Sequence, residues 1–294
     1  MKNIIVFGGS GFLGSHVCDQ LSGYGYHVTI YDIKVSPYLK VNQKMIVGDL
    51  LDSEKVDQAI LGNDIVFNFA GIADIEECKQ NALDTVKCNI LGNTILLEAS
   101  RKAEIKRFIF ASSVYVYSQY GSFYRCSKQA SESYVEMYSQ EYHLPYTIVR
   151  FGSLYGERSD ERNGIYRFLK QVLTENKIVH KGTGEEVREF IHVKDAAELC
   201  GEILDEKYVN QNIILTGHQA IKYKELFEMI QEIVNNKDIK IEYEKEQVNS
   251  HYMITPYSFS PKIGKKLTNN PYIDMGQGII GCLADISQKY NMEE

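Results

Sequence analysis

MKNIIVFGGSGFLG, residues 1–14, sets an apolar run from Ile4 to Phe7 against a cluster of glycines, Gly8, Gly9, Gly11 and Gly14, and passes at once into an amphipathic stretch, Ser15 to Leu21. The pattern predicts a strand, a tight turn and a helix. Without a Cβ, the backbone can bend sharply at Gly8, come close to a phosphate at Gly11, and pack helix on strand at Gly14. The free N–H groups of the new helix, those of Phe12 and Leu13 among them, would face an anion with the positive end of the helix dipole behind them.

A glycine turn alone serves many strand-to-helix junctions. Here the next apolar segment, Val28 to Tyr31, ends on Asp32, eighteen positions after Gly14. A carboxylate at that place accepts both hydroxyls of an adenosine ribose and repels a 2′-phosphate. Together the two signals predict a dinucleotide site that takes NAD rather than NADP.

Outward from this unit, short apolar runs and amphipathic stretches alternate. Met45 to Val47 reads as a strand leading into Gly48-Asp49-Leu50, and Val56 to Leu61 as a helix begun by Ser53. Asp64 to Gly71 is a buried strand running into small residues, Asp84 to Lys102 a continuous amphipathic helix, and Arg107 to Ala111 the next strand. A helix from Ser127 to Glu141 and a strand from Tyr146 to Phe151 close the regular alternation. This order predicts an α/β fold: a doubly wound parallel (Rossmann) sheet with helices on both faces, and a smaller C-terminal substrate-binding lobe. Residues 1–155 are expected to form the NAD-binding domain, with a strand and helix at about 185–215 returning to it. About 156–184 and 216–294 are expected to form the lobe. Later elements are expected at Gly164 to Leu173, Lys177 to His180, Val187 to His192, Lys194 to Leu204, Asn212 to Leu215, Tyr223 to Asn235 and Gly278 to Tyr290. Gly8, Asp32, Asp49, Ala70 and Ser112-Ser113 all fall at carboxyl ends of strands, where such sheets bind ligands.

Composition removes several classes. A net charge of −7 with no basic run offers no track for nucleic acid. The six cysteines, Cys18, Cys78, Cys88, Cys126, Cys200 and Cys282, form no C-x-x-C pair, and mostly fall in apolar helical stretches. They read as small core residues in a reducing compartment. The seven histidines make no metal-type cluster, so no metal is expected. No apolar run reaches membrane-spanning length, and the N-terminus reads as a strand rather than a targeting signal, which points to the cytoplasm.

The chemistry lies in the middle of the chain. Tyr124 and Lys128 stand four apart at a helix start and so share a face. A lysine ammonium beside an oxidised nicotinamide favours the tyrosinate and lowers the Tyr124 pKa. Such a tyrosine takes a proton from a sugar hydroxyl while hydride leaves the same carbon, and the Ser113 hydroxyl holds the oxygen as it becomes a carbonyl.

With these residues in view, the sequence resembles the extended short-chain dehydrogenase/reductases, specifically their NAD-dependent epimerase/dehydratase group, which acts on nucleotide sugars. The resemblance runs through Gly8-x-x-Gly11-x-x-Gly14, Asp32, Gly48-Asp49-Leu50, Phe69-Ala70-Gly71, Asn89-x-x-Gly92, Ser112-Ser113, Tyr124-x-x-x-Lys128, Arg150, Tyr155-Gly156, Gly182-Thr-Gly184, Arg188 to Val193, Asp195, and Ser260 to Gly264 with Leu267 and Pro271. It implies that Asp49 and Leu50 hold adenine, that Phe69, Ala70, Gly71 and Asn89 line the cofactor, and that Ser113, Tyr124 and Lys128 form a catalytic triad. Arg188 resembles an arginine that grips the sugar nucleotide's diphosphate; the other reading is a surface ion pair with Glu185, Glu186 or Glu189. His192 reads as a core histidine, and Arg150 and Asp195 read equally well as structural residues.

Departures narrow the reaction. Val114-Tyr115 follow Ser113 where dehydratases of the group carry a carboxylate pair and decarboxylases a glutamate. Ser153 stands where many epimerases carry an asparagine, and Ala73 where a lysine occurs. Ala73, Ser113, Ser153 and Arg188 are the substrate-binding candidates, and the short stretch between Ser113 and Tyr124 is where sugar choice is expected to lie. The expected activity is a nucleotide-sugar epimerase that oxidises and re-reduces C4 through a transient keto sugar. Net 4-dehydrogenation, reduction, and a non-catalytic NAD sensor are the alternatives. The group's habit of pairing helices implies a homodimer through Asp84 to Lys102 and Ser127 to Glu141.

Overall fold

The computed structural model describes residues 2–244 and 251–257. In chain order the elements are β1 (Asn3–Phe7), α1 (Phe12–Gly23), β2 (His27–Asp32), β3 (Gln43–Val47), α2 (Ser53–Ile60), β4 (Ile65–Asn68), α3 (Ile75–Gln80), α4 (Ala82–Thr85), α5 (Gly92–Lys102), β5 (Arg107–Ser113), α6 (Ser122–Tyr142) and β6 (Tyr146–Phe151). There follow β7 (Ser153–Tyr155), α7 (Gly164–Glu175), β8 (Lys177–Lys181), β9 (Val187–His192), α8 (Val193–Glu202), β10 (Gln211–Leu215), β11 (Ala220–Lys222), α9 (Tyr223–Ile233) and β12 (Lys240–Glu244).

Seven strands form one sheet in the order β10-β6-β5-β4-β1-β2-β3, every neighbouring pair parallel. Strand order reverses between β4 and β1, which opens a crevice beyond their carboxyl ends. The continuous apolar run of β1 follows from helices covering both faces. Ile4 and Val6 pack with Val17, Cys18 and Leu21 of α1 and Ala196, Ala197 and Cys200 of α8. Ile5 and Phe7 pack on the other face with Val56 and Ile60 of α2, Leu96 and Leu97 of α5, and Val135 of α6. Each such side chain, fully buried, contributes on the order of 1.5–3 kcal/mol.

A third apolar cluster, Phe168, Val172, Ile178, Leu226, Phe227, Ile230 and Ile239, belongs to the later segments. Around it stand the three-stranded sheet β11-β9-β7 and the pair β12-β8. The returning segment is therefore shorter than the sequence suggests, because β9 pairs with β7 and β11 outside the main sheet, while α8 and β10 rejoin it.

Three further differences bear on the site. The expected helix Asp84 to Lys102 is broken by a π-helical turn, Val86–Leu91, whose wider coil carries Asn89. Helix α6 begins at Ser122 rather than Ser127, entered through the left-handed Gly121 (φ 98°), so Tyr124 and Lys128 both lie within regular helix. Asp52, not Ser53, caps α2, its carboxylate accepting Lys55 N–H at 3.1 Å. Cys18, Cys78 and Cys200 are buried as expected; Cys88 is half-buried and Cys126 is exposed on α6. Cys282, the helix Gly278 to Tyr290 and the motif from Ser260 to Pro271 lie outside the described residues.

Candidate active site

The glycine turn is built for close approach. Gly8 has φ 76°, and a Cβ there would stand 2.6 Å from the Ala70 nitrogen across the crevice. At Gly14 a Cβ would stand 2.2 Å from the Gly8 carbonyl oxygen. Around Gly11 it would meet only the Gly8 oxygen, at 3.2 Å, which leaves an open cradle over the start of α1. Neither a capping side chain nor an acidic residue occupies that first turn, so its N–H groups are offered to an anion. Asp32 is held in place by Ser10 N–H at 3.0 Å and Lys34 N–H at 3.2 Å. A pyrophosphate at the cradle and a ribose at Asp32 fit this donor and acceptor set.

The other cofactor candidates follow the same strand ends. Asp49 accepts Leu51 N–H on its carboxylate at 2.9 Å and the Tyr31 hydroxyl on its carbonyl at 2.8 Å. Leu50 is buried beside Gly92, where any Cβ would meet it at 2.5 Å. Phe69 and Ala70 are half-buried after β4. Asn89 is engaged by the protein on both sides. Its amide accepts Ile72 N–H at 2.7 Å and donates to Ile72 O and Ser127 Oγ, each at 2.9 Å, so it ties the Gly71 loop to α6.

Ser113 ends β5, and Tyr124 and Lys128 lie on successive turns of α6 above it. Lys128 donates to the Ala111 carbonyl at 2.7 Å, with its ammonium 5.8 Å from the Tyr124 ring centre. Burial pushes the Tyr124 phenol up to about 12, and the Ser113 side chain pulls it partly back. Burial also brings Lys128 down to about 8. Burial sets that direction, and the lowering expected of Tyr124 concerns the site with Lys128 and an oxidised nicotinamide together.

A cavity of about 240 Å³ collects Ala73, Ser113, Tyr115, Tyr124, Ser153 and Tyr252 on its walls. Among the described residues that line it there is no carboxylate. Arg188 lies behind two of the wall residues, its guanidinium 5.4 Å from the ring centre of Tyr223 and 4.2 Å from that of Tyr252. It is 3% exposed, and the surface ion pair that the sequence allows is absent. Glu185 pairs instead with Lys222 and Lys224, Glu186 with His180, and Glu189 with Tyr257.

His192 is no core residue. It caps α8 by accepting Lys194 N–H at 3.3 Å and faces Glu157 at 3.3 Å. Arg150 has a structural place, a buried two-pronged pair with Glu132 at 2.9 and 2.7 Å. Asp195 is exposed in the first turn of α8, where its charge suits the helix dipole. Sequence reasoning missed Tyr252, which lines the cavity, and His251, which meets the Tyr115 hydroxyl; they follow a stretch of charged and polar residues with no motif.

The family model described as NAD dependent epimerase/dehydratase family matches residues 4–215. A putative UDP-glucose 4-epimerase of Methanocaldococcus jannaschii is 28% identical over 94% of this chain and 95% of its own length. A UDP-N-acetyl-alpha-D-glucosaminuronate decarboxylase of Bacillus cytotoxicus is 28% identical over 85% of this chain and 86% of its own. Among solved structures, the UDP-glucose 4-epimerase of Thermotoga maritima with UDP-glucose superposes with a TM-score of 0.79 at 26% identity, covering 88% of this chain and 90% of that one.

Proposed function

Since the chain belongs to the NAD-dependent epimerase/dehydratase family, we propose that it is a nucleotide-sugar 4-epimerase in which Ser113, Tyr124 and Lys128 carry the chemistry. One observation bears most of the weight: Ser113 and Tyr124 meet on the wall of one cavity that no carboxylate lines among the described residues. Elimination of water needs a further acid–base pair, and no carboxylate among the described lining residues offers one. Oxidation and re-reduction of one carbinol need only the tyrosine and the hydroxyl donor.

When bound, NAD would supply the hydride acceptor and donor for this chemistry. The Tyr124 phenolate takes the proton from the C4 hydroxyl as the C4–H bond breaks, and Ser113 donates to the oxygen as it gains carbonyl character. Because burial holds the free phenol up to about 12, positive charge must reach it first, and the Lys128 ammonium is the protein's own source. After the keto sugar turns over, Tyr124 gives the proton back to the C4 oxygen as hydride is received on the opposite face of C4. The Gly8 to Gly14 turn with Phe12 and Leu13, Asp32, Asp49, Leu50, Phe69, Ala70 and Gly71 hold the cofactor in this reading. Ala73, Ser153 and Arg188 contact the sugar nucleotide, with residues from 156–184 and beyond 216 forming the nucleotide side.

Exposed Val86, Leu91, Tyr134 and Met137 on the π-turn and α6 support a homodimer through these elements, which light scattering tests. A cytoplasmic place in polysaccharide synthesis suits the reading: no helix among the described residues is long and apolar enough to cross a membrane, and the five described cysteines are unpaired. The function is tested by incubating the enzyme with UDP- and dTDP-hexoses and following C4 stereochemistry by NMR. A new axial/equatorial pattern without net NADH supports epimerisation, stoichiometric NADH indicates net oxidation, and no conversion overturns both. Tyr124→Phe should abolish turnover while sparing NAD binding.

A further inference from the structure

Tyr115 lines the same cavity as Tyr124, their ring centres 6.2 Å apart, yet the reaction described above gives it no task. It is firmly seated. A Cβ at Gly121 would come within 2.6 Å of its ring, the Tyr252 ring lies 4.6 Å away, and its hydroxyl is 2.5 Å from Nδ1 of His251. His251 keeps an edge open to solvent; desolvation in the site and the charges of Arg188 and Arg167, opposed by those of Glu76 and Asp74, lower its pKa, which leaves a neutral imidazole near pH 7. Between a phenol and a neutral imidazole the phenol is the stronger acid and the imidazole nitrogen the stronger base, so the Tyr115 O–H donates to Nδ1. A phenol has one proton. With that proton committed to His251, the Tyr115 oxygen can only accept.

We propose that Tyr115, oriented by His251, is a specificity-determining residue that accepts a hydrogen bond from a hydroxyl or amide N–H at C3 or C6 of the hexose, to one side or the other of C4. The inference rests on the nucleotide-sugar reading above and deepens it. The substrate class that fits is a nucleoside diphosphate hexose bearing a donor group at C3 or C6. A deoxy sugar leaves the tyrosine oxygen unmatched, and a uronate presents it with a second acceptor. A site that hydrogen-bonds a substrate hydroxyl discriminates strongly against the analogue lacking it, because its own polar group is then left unpaired.

The test compares kcat/KM for UDP-glucose and dTDP-glucose with those for their 3-deoxy and 6-deoxy counterparts. In the wild-type enzyme at least one deoxy sugar should be disfavoured by tenfold or more. Tyr115→Phe keeps the ring packing and removes only the oxygen. It should shrink that preference about tenfold through loss on the parent sugar, chiefly in KM, while turnover of the deoxy sugar is retained. His251→Ala should shrink the preference in part, and His251→Asn, which restores an acceptor, should recover it; a merely structural histidine would lower all substrates alike. An unchanged ratio of parent to deoxy sugar in Tyr115→Phe overturns the assignment while leaving the epimerase reading standing. Failure of the wild-type enzyme to convert either parent sugar overturns both.

Discussion

Arg188 holds its guanidinium 4.2 Å from the ring centre of Tyr252, a cation covered by an aromatic face where a diphosphate-binding residue would be open. A desolvated cation–π contact is worth about 2 kcal/mol, so a phosphate ligand must displace the Tyr252 ring to reach the charge. Arg188→Met should weaken UDP binding at least tenfold by calorimetry. Tyr252→Leu, which removes the competitor, should tighten it about threefold.

Lys128 gives a pH signature. Its folded pKa, brought down to about 8 by burial, lies below the value of about 10.4 for a free lysine. Below pH 8 both folded and unfolded chains carry the proton, and the folded state bears the full desolvation cost. Between 8 and 10.4 the unfolded chain binds more protons, so stability attributable to this group rises with pH. Lys128→Met should therefore raise Tm at pH 7 by a few degrees while abolishing turnover, and the gain should shrink toward zero near pH 10. A Tm difference independent of pH would count against the buried ammonium.

The glycines of the turn should separate by role. Ala at Gly14 would put a carbon 2.2 Å from the Gly8 oxygen, a backbone clash that must distort the turn. Ala at Gly11 meets only a 3.2 Å contact. Gly11→Ala should fold with Tm within about two degrees of wild type yet bind NAD at least tenfold more weakly; Gly14→Ala should lose both stability and binding.

The Glu132–Arg150 pair anchors α6 to β6 with both side chains buried. Arg150→Met leaves a buried carboxylate without its partner and should cost about 3–5 kcal/mol in chemical denaturation. Adding Glu132→Leu to it should recover most of that loss, because the uncompensated charge is then gone.

The parts of this molecule written in local pattern were legible in the chain. The β1 run, the glycine spacing, Asp32 and the four-residue step from Tyr124 to Lys128 each lie within one or two elements, and their periodicity announces strand, turn and helix. What depends on distant partners was not. Nothing in the stretch around His251 points to Tyr115, 136 positions earlier, and the sandwich of Arg188 between Tyr223 and Tyr252 arises only when three segments meet. Three-residue strands such as β7 and β11 are too short to show alternation. The π-turn keeps the apolar stripe of a helix while shifting its phase, which hid the task of Asn89. The burial that raises the Tyr124 pKa before any cofactor charge reaches it also depends on distant segments and does not show in the sequence.

The central claim is that hydride leaves C4 and returns to the same carbon of the same sugar. A nucleotide hexose deuterated at C4, prepared as both the UDP and the dTDP form, tests this directly by NMR and mass spectrometry of the product. The account predicts an inverted C4 that retains the deuterium, with none lost to solvent and no stoichiometric NADH. Inversion with loss of the label, or label accumulating in reduced cofactor without inversion, would contradict it.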